Sequence, residues 1–306
     1  MRKTAKSPIA VVRAALKAAE VLPLYSHRFS PRKFTQRQLF AILVLKAFLK
    51  LDYRGVIEVI RDWPRMQKTL GLKSIPTHNA LWYANQRLLK NAGTHALLDA
   101  TMELGKPAGE QSSIDSTGLE SSHQSRYYVK RRGKDLEYRT YPKMSVVVDN
   151  KTHLLLSAVA DEGPKPDQVE FRQAVTEAYE RAPFRELLAD AAYDSEANHR
   201  FLREELGVGS VIPARYPHTN TDPQQRPRTP YRRKMREEFP KERYGQRWQV
   251  ESAISQFKRR LGSSLSARSA SARAGQIMLM VLTFNLMLIL FCPHSSQATA
   301  IQNNAF

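Results

Sequence analysis

SSIDSTG, residues 112–118, is the stretch from which the rest of the chain is read. It is a short strand candidate with Asp115 at its midpoint. An aspartate inside a strand is disfavoured unless it is paired or ligating, because burying an unpartnered charge is costly. The plain alternative is a satisfied structural aspartate on an edge strand. Downstream, Met144 to Val148 and His153 to Val159 alternate as two further strands around the turn-forming pair Asp149-Asn150. A helix is expected over 167–181. A buried strand follows from Arg185 to Asp190, then a helix from Ser195 to Leu206 capped by Asp194, and a last strand from Val208 to Ile212.

Three strands led by a hairpin, then helix, strand, helix and strand, is the element order of a ribonuclease-H-like α/β core. Upstream, residues 30–105 read as helical. Leu39, Ile42, Leu43 and Leu49 recur at helical spacing, and so do Val56, Ile57 and Ile60, then Leu81, Ala84 and Leu88. Gly71 is placed to stop one helix and Thr77, just after Pro76, to cap the next. That second helix is expected to expose His78, Asn79, Asn85, Gln86 and Arg87. A helix-turn-helix near 66–90 and a plain bundle with a polar outer face explain this pattern equally well. The expected division is a helical region over 1–108, a catalytic domain over 109–292 and a flexible tail over 293–306.

The 306-residue chain carries 48 Lys and Arg against 29 Asp and Glu, a formal charge of +19. So positive a surface repels itself and is best explained by a polyanionic partner, nucleic acid first. The single cysteine, Cys292, rules out a disulfide framework and suits a reducing compartment. The basic N-terminus, interrupted by Arg13 and Lys17, reads as an amphipathic helix or a loose arm rather than a signal peptide. The apolar run Ile277 to Cys292 is short of the roughly 20 residues a membrane span needs, so a buried helix is expected. The chain is read as cytoplasmic and nucleoid-associated, with no membrane partner. Residues 214–243, rich in proline and arginine, read as an extended, mobile, basic linker.

Three carboxylates stand out. Asp115 is one. Asp190 closes the apolar run ELLAD, where a buried strand meets its loop, and open sheets collect their sites at such ends. Glu251 is the third. Tyr244, Arg247, Glu251 and Lys258 are spaced 3, 4 and 7 apart and fall on one stripe of a helix expected from about Gly245 to Leu261. Val250, Ile254, Phe257 and Leu261 form the adjoining apolar stripe. Phosphodiester cleavage by two metals needs carboxylates from separate elements, holding ions roughly 3.5–4 Å apart, and hard oxygen ligands suit Mg²⁺. Arg247 and Lys258 are placed to meet phosphate oxygens. An ordinary i,i+4 salt bridge between Arg247 and Glu251 is the bland alternative.

The pattern Tyr244-x2-Arg247-x3-Glu251-x6-Lys258 resembles the Y-R-E-K signature of the DDE transposases of bacterial insertion sequences. Ile114-Asp115-Ser116-Thr117 is similar to that family's first aspartate motif. Leu188 to Asp194 is similar to the second, with Ala191 and Ala192 where lysine or glycine is common. The resemblance runs from about 110 to 290. It implies a ribonuclease-H-like fold and Asp115, Asp190 and Glu251 as catalytic, metal-holding residues. It implies Mg²⁺, with Mn²⁺ able to substitute, and Tyr244, Arg247 and Lys258 gripping DNA. It further implies a homo-oligomer that works on double-stranded terminal repeats, exposes their 3′-hydroxyls and joins them to target DNA. The helical N-terminal region is then the DNA-end-binding part. Only positions 191–250 separate Asp190 from Glu251, so the long β-rich insertion of some members is lacking.

RYYVKRRGK (126–134) interleaves tyrosines with Arg126, Lys130, Arg131 and Arg132, a composition able to follow a phosphate backbone. There is no GxxxxGK[ST] loop, so no nucleotide cofactor is expected. A non-catalytic DNA-binding regulator and a ribonuclease-H-like nuclease without strand transfer remain open on the residues alone.

Overall fold

The computed structural model describes residues 3–121, 140–215 and 226–290. The chain forms two compact units. One takes the residues up to Lys106 together with those from Phe257 onward; the other takes most of the residues between. The sequence placed everything from 109 to 292 in the catalytic domain. By packing, the residues from Phe257 group with the helical N-terminal part, because the apolar C-terminal helix is buried there.

The helical unit contains α1 (Pro8–Ala18), α2 (Gln36–Leu49), α3 (Tyr53–Arg61), α4 (Pro64–Leu70), α5 (His78–Leu88) and α6 (Asn91–Gly105). Its helices begin and end where the chemistry dictates. Thr35 and Gln38 form a capping box on α2, and the Gln38 amide donates to the carbonyls of Leu70 and Gly71, tying off α4. Gly71 closes α4 in the left-handed conformation, at φ 62°. Thr77 caps α5 by accepting from the Ala80 N–H. The N-terminal segment is a packed helix rather than a loose arm: Val11, Val12, Ala14 and Ala15 of α1 are all buried. Asn85, expected on an exposed face of α5, is also buried, because it follows Ala84 on the side that carries Leu81 and Leu88.

Of the apolar run expected to be a buried helix, Ile277 to Ile289 lies in a 20-residue helix (Ala270–Ile289), long and apolar enough to span a membrane. Its surroundings are those of a protein core: it packs on α1, α2 and α6. Its polar groups find partners inside, Thr283 donating to the Leu279 carbonyl and Asn285 to the Thr101 hydroxyl. Phe284 meets Phe257 edge to face at 5.7 Å.

The second unit is built on five strands: β1 (Gln111–Gly118), β2 (Tyr141–Asp149), β3 (Leu155–Gly163), β4 (Glu186–Leu188) and β5 (Gly209–Val211). Their order is β3-β2-β1-β4-β5. The first three pair antiparallel, whereas β4 runs parallel to β1 and β5 parallel to β4. The parallel crossovers require intervening helices, supplied by α7 (Gln168–Arg181) and by α8 (Glu196–Arg200), which continues as a π turn over Phe201–Glu205. This is a mixed α/β sheet flanked by helices, with the strand sequence expected of a ribonuclease-H-like core. Asp115 sits at the centre of β1, opposite Val146.

The basic segment differs from its expected extended form. Within 226–243 it forms α9 (Pro230–Glu237) and the short α10 (Lys241–Tyr244). Proline at the first position favours α9, and Met235 is its buried residue. The segment is fastened as well. Buried Asp194 accepts from Arg232 through both carboxylate oxygens at 2.9 and 2.8 Å, and Glu196 accepts from the N–H groups of Tyr231 and Arg232. Asp194 is therefore not the helix cap expected of it; Ser195 caps α8 by accepting from the Asn198 N–H.

Candidate active site

Three elements of the sheet unit deliver three carboxylates. Asp115 projects from mid-β1, with Oδ1 accepting from the Ser116 N–H at 2.8 Å. Asp190 lies two residues past the end of β4. There its Oδ1 accepts from the Ala192 N–H at 2.9 Å, fixing a tight turn that leaves Oδ2 facing away. Glu251 occupies the first turn of α11 (Trp248–Leu261). The start of that helix is anchored by Gln249, whose Oε1 is 2.6 Å from His153 Nε2 at the β2–β3 turn. Arg243 on α10 bonds Glu186 at the head of β4, a second tie between this region and the sheet.

All three carboxylates converge on one guanidinium. Arg247 Nη2 is 3.6 Å from Asp115 Oδ2 and 3.6 Å from Asp190 Oδ2, while Nη1 bonds Glu251. Burial of Asp115 pushes its carboxyl above the usual range, and Asp190 and Glu251 add to that, against the Ser116 amide and Arg247. For Arg247 burial works against the charge, but Asp115, then Tyr244 and Asp190, hold it firmly cationic. Tyr244 is pushed up by burial, with the three carboxylates adding to the effect and Arg247 opposing it, so its phenol stays a proton donor.

Three negative charges therefore share one positive one, and the surplus favours further cations. Among the described residues no three His, Cys, Asp or Glu side chains are gathered tightly enough to hold a metal ion as they stand. The donor set nevertheless fits a divalent metal: three hard oxygen ligands from separate elements, with Glu251 56% exposed. The cation they share is a side chain, 14% exposed, rather than a bound ion.

The expected single stripe of four residues on one helix is modified. Tyr244 ends α10, Arg247 closes a 3-10 turn over Gly245–Arg247, and only then does α11 carry Glu251. Lys258 lies on the same helix, seven residues beyond Glu251, among the residues that group with the helical unit. Arg126, Lys130, Arg131 and Arg132 fall outside the described residues.

A second charged group adjoins the first and was not anticipated. Lys143 of β2, 3% exposed, bonds Asp167 at 2.8 Å and Glu170 at 3.1 Å. Burial disfavours its charge, but the hydrogen bonds of Asp167 and Glu170 outweigh that and raise its pKa. Asp167 also accepts from the Ser116 hydroxyl, next to Asp115. Tyr193, fully buried, has its phenol pushed above its ordinary range by burial and by Asp167, Asp115 and Asp190. The available signal was Pro166-Asp167, placed where a helix begins; the partner Lys143 is set by strand register, opposite Gly118.

Gathered carboxylates on a mixed α/β sheet are the equipment of metal-dependent phosphoryl-transfer enzymes. Residues 107–286, more than half of the chain, match the transposase DDE domain family. The chain belongs to that family and is an enzyme that cleaves and transfers DNA strands, a class that generally uses divalent metal ions. It is also similar to a solved structure, the piggyBac transposase synaptic complex with hairpin DNA, at 11% identity and a TM-score of 0.46 over 99% of this chain and 79% of that one.

Proposed function

We propose that the protein is an insertion-sequence transposase whose Asp115, Asp190 and Glu251 hold two divalent metal ions, Mg²⁺ with Mn²⁺ able to substitute. The observation that carries this reading is the convergence of those three carboxylates, from strand centre, strand end and helix, on the single guanidinium of Arg247. Metal bound there would supply Lewis acidity to the attacking and leaving oxygens of the scissile phosphodiester. The chain's own groups do the rest. Arg247 releases the carboxylates and turns to a phosphate oxygen, which a planar guanidinium grips bidentately. Tyr244, kept protonated, donates to the phosphate, and Lys258 neutralises charge along the backbone. Arg126, Lys130, Arg131 and Arg132 extend the basic track. The helical N-terminal region, with α4 and α5 in the order of a helix-turn-helix, binds the terminal repeats, and the enzyme acts as a homo-oligomer on double-stranded DNA.

The test is a cleavage assay on a supercoiled plasmid carrying the gene with its own genomic flanks, with Mg²⁺ or Mn²⁺, comparing wild type with Glu251→Gln. Metal-dependent breaks at the flanks, absent in the variant, are expected. Asp115→Asn and Asp190→Asn should likewise abolish cutting while DNA binding survives. Scattered nicks would point to a nuclease without strand transfer. Binding without cutting in either protein would overturn the catalytic reading.

A further inference from the structure

The helical unit holds a cavity of about 460 Å³, within the roughly 300–1,000 Å³ range of small-ligand sites. It is a half-open cleft lined by residues of α2, α3 and α5, by Ser266 to Ser269, and by the start of the C-terminal helix Ala270–Ile289, named α12 from here. Asn85 lines it. That residue is 7% exposed. A carboxamide carries both a donor and an acceptor, so at a cavity wall it offers a ligand a matching pair.

The walls suit a planar aromatic ligand. Tyr53 lines one side, and the Lys46 ammonium stands 4.5 Å from its ring centroid. At the rim is Trp82, 46% exposed, against Tyr83 at 4.9 Å between centroids. The first turn of α12 closes the remaining side. Ser269 caps it through the Ala272 N–H, and Gln276 Oε1 accepts from the N–H groups of Ser266 and Ala267, setting the approach to the helix N-terminus. A helix N-terminus beside an ammonium attracts phosphate. A double helix is too wide to enter such a cavity, whereas a single base with its phosphate matches its size and its chemistry.

We propose that this cavity binds one unpaired nucleotide of a bound DNA strand, with the base stacked at Trp82 and Tyr53, its edge hydrogen-bonded by Asn85, and the phosphate held by Lys46 and the α12 N-terminus. The assignment rests on the reading of the chain as a DNA-acting enzyme, but the pocket is separate from the carboxylates.

The test is fluorescence anisotropy in EDTA, where no cleavage occurs, with a labelled blunt duplex and the same duplex carrying one unpaired nucleotide. Wild type should prefer the second about tenfold, the size expected of one stacked base. Trp82→Ala and Asn85→Leu should lose that preference, read within each variant as the ratio of its two duplex affinities, so that any effect on the grip of α5 on the duplex itself cancels. Equal affinity in wild type, or a preference kept by Trp82→Ala, would overturn the proposal. Deoxyadenosine monophosphate serves as competitor. If it binds below millimolar in wild type and not in Trp82→Ala, while the two duplexes bind alike, the pocket serves a free nucleotide and the DNA assignment falls. Glu251→Gln should keep the preference. Failure of the plasmid assay with the preference intact would therefore count against the proposed metal chemistry alone.

Discussion

Arg247 holds the carboxylates in the arrangement described, and its removal separates two roles. Without a guanidinium, three like charges repel at close range, and relief comes from a proton on one carboxyl or from a cation taken from solution. Arg247→Ala is expected to lower the melting temperature of the metal-free protein and to enlarge the stabilisation produced by added Mn²⁺. Thermal denaturation across a Mn²⁺ titration measures both. Equal Mn²⁺-induced shifts in variant and wild type would mean that the guanidinium and the metal do not share ligands. Much of this cluster was legible in the sequence, because Asp115 broke a strand pattern and Glu251 stood in a fixed series of polar residues. Lys143 was not, since its partners Asp167 and Glu170 lie at the start of α7, far along the chain, a pairing that no local spacing reveals. Nor was Asn85: polar side chains default to the surface, and only the packing of Leu81, Ala84 and Leu88 draws it inward.

Among the elements, the basic segment departs furthest from expectation. Five prolines and many arginines over 214–243 suggested a mobile tether. Thr229-Pro230 is nevertheless a helix start, and α9 is secured by Asp194, a residue 36 positions upstream of Pro230 in the second aspartate motif. The bidentate pair is buried at Asp194 and partly exposed at Arg232. Asp194→Ala should therefore cost about 3 kcal/mol, the lower end for losing one partner of a buried pair. It should also free α9 for tryptic cleavage at Arg232 and Arg233, read by mass spectrometry. Unchanged cleavage would show that Glu196, which caps α9, suffices to hold it. The strands were easier to read, since β-branched alternation survives single-sequence inspection. Their ends were less so: β2 runs past both expected limits, and β3 begins at Leu155 rather than His153 and ends at Gly163 rather than Val159, because pairing, rather than composition, sets strand length.

At the scale of the whole molecule, acid is a predicted weakness. His199, fully buried with Nδ1 2.7 Å from the Ser210 hydroxyl, has its pKa lowered from 6.5 to about 4, first by burial, which outweighs nearby Asp194. A base whose folded-state value is depressed favours the neutral form. Its contribution to stability is complete above the unfolded value of 6.5 and is lost as pH falls from there through about 4. The loss between pH 7 and pH 5 should be about 2 kcal/mol, measured by urea denaturation and flattened in His199→Gln. If both proteins lose the same amount, other groups govern the acid response.

The helical unit is assembled from the two ends of the described chain, and this bears on how the protein is made. During synthesis α1 to α6 leave the ribosome with their apolar faces ready, but α12, which buries against α1, α2 and α6, follows more than 160 residues after α6 ends at Gly105. The nascent N-terminal helices must wait for it in a half-closed state, exposed to chaperones and proteases. A message broken just after α11 would encode all three carboxylates and still give a polypeptide without a finished helical core.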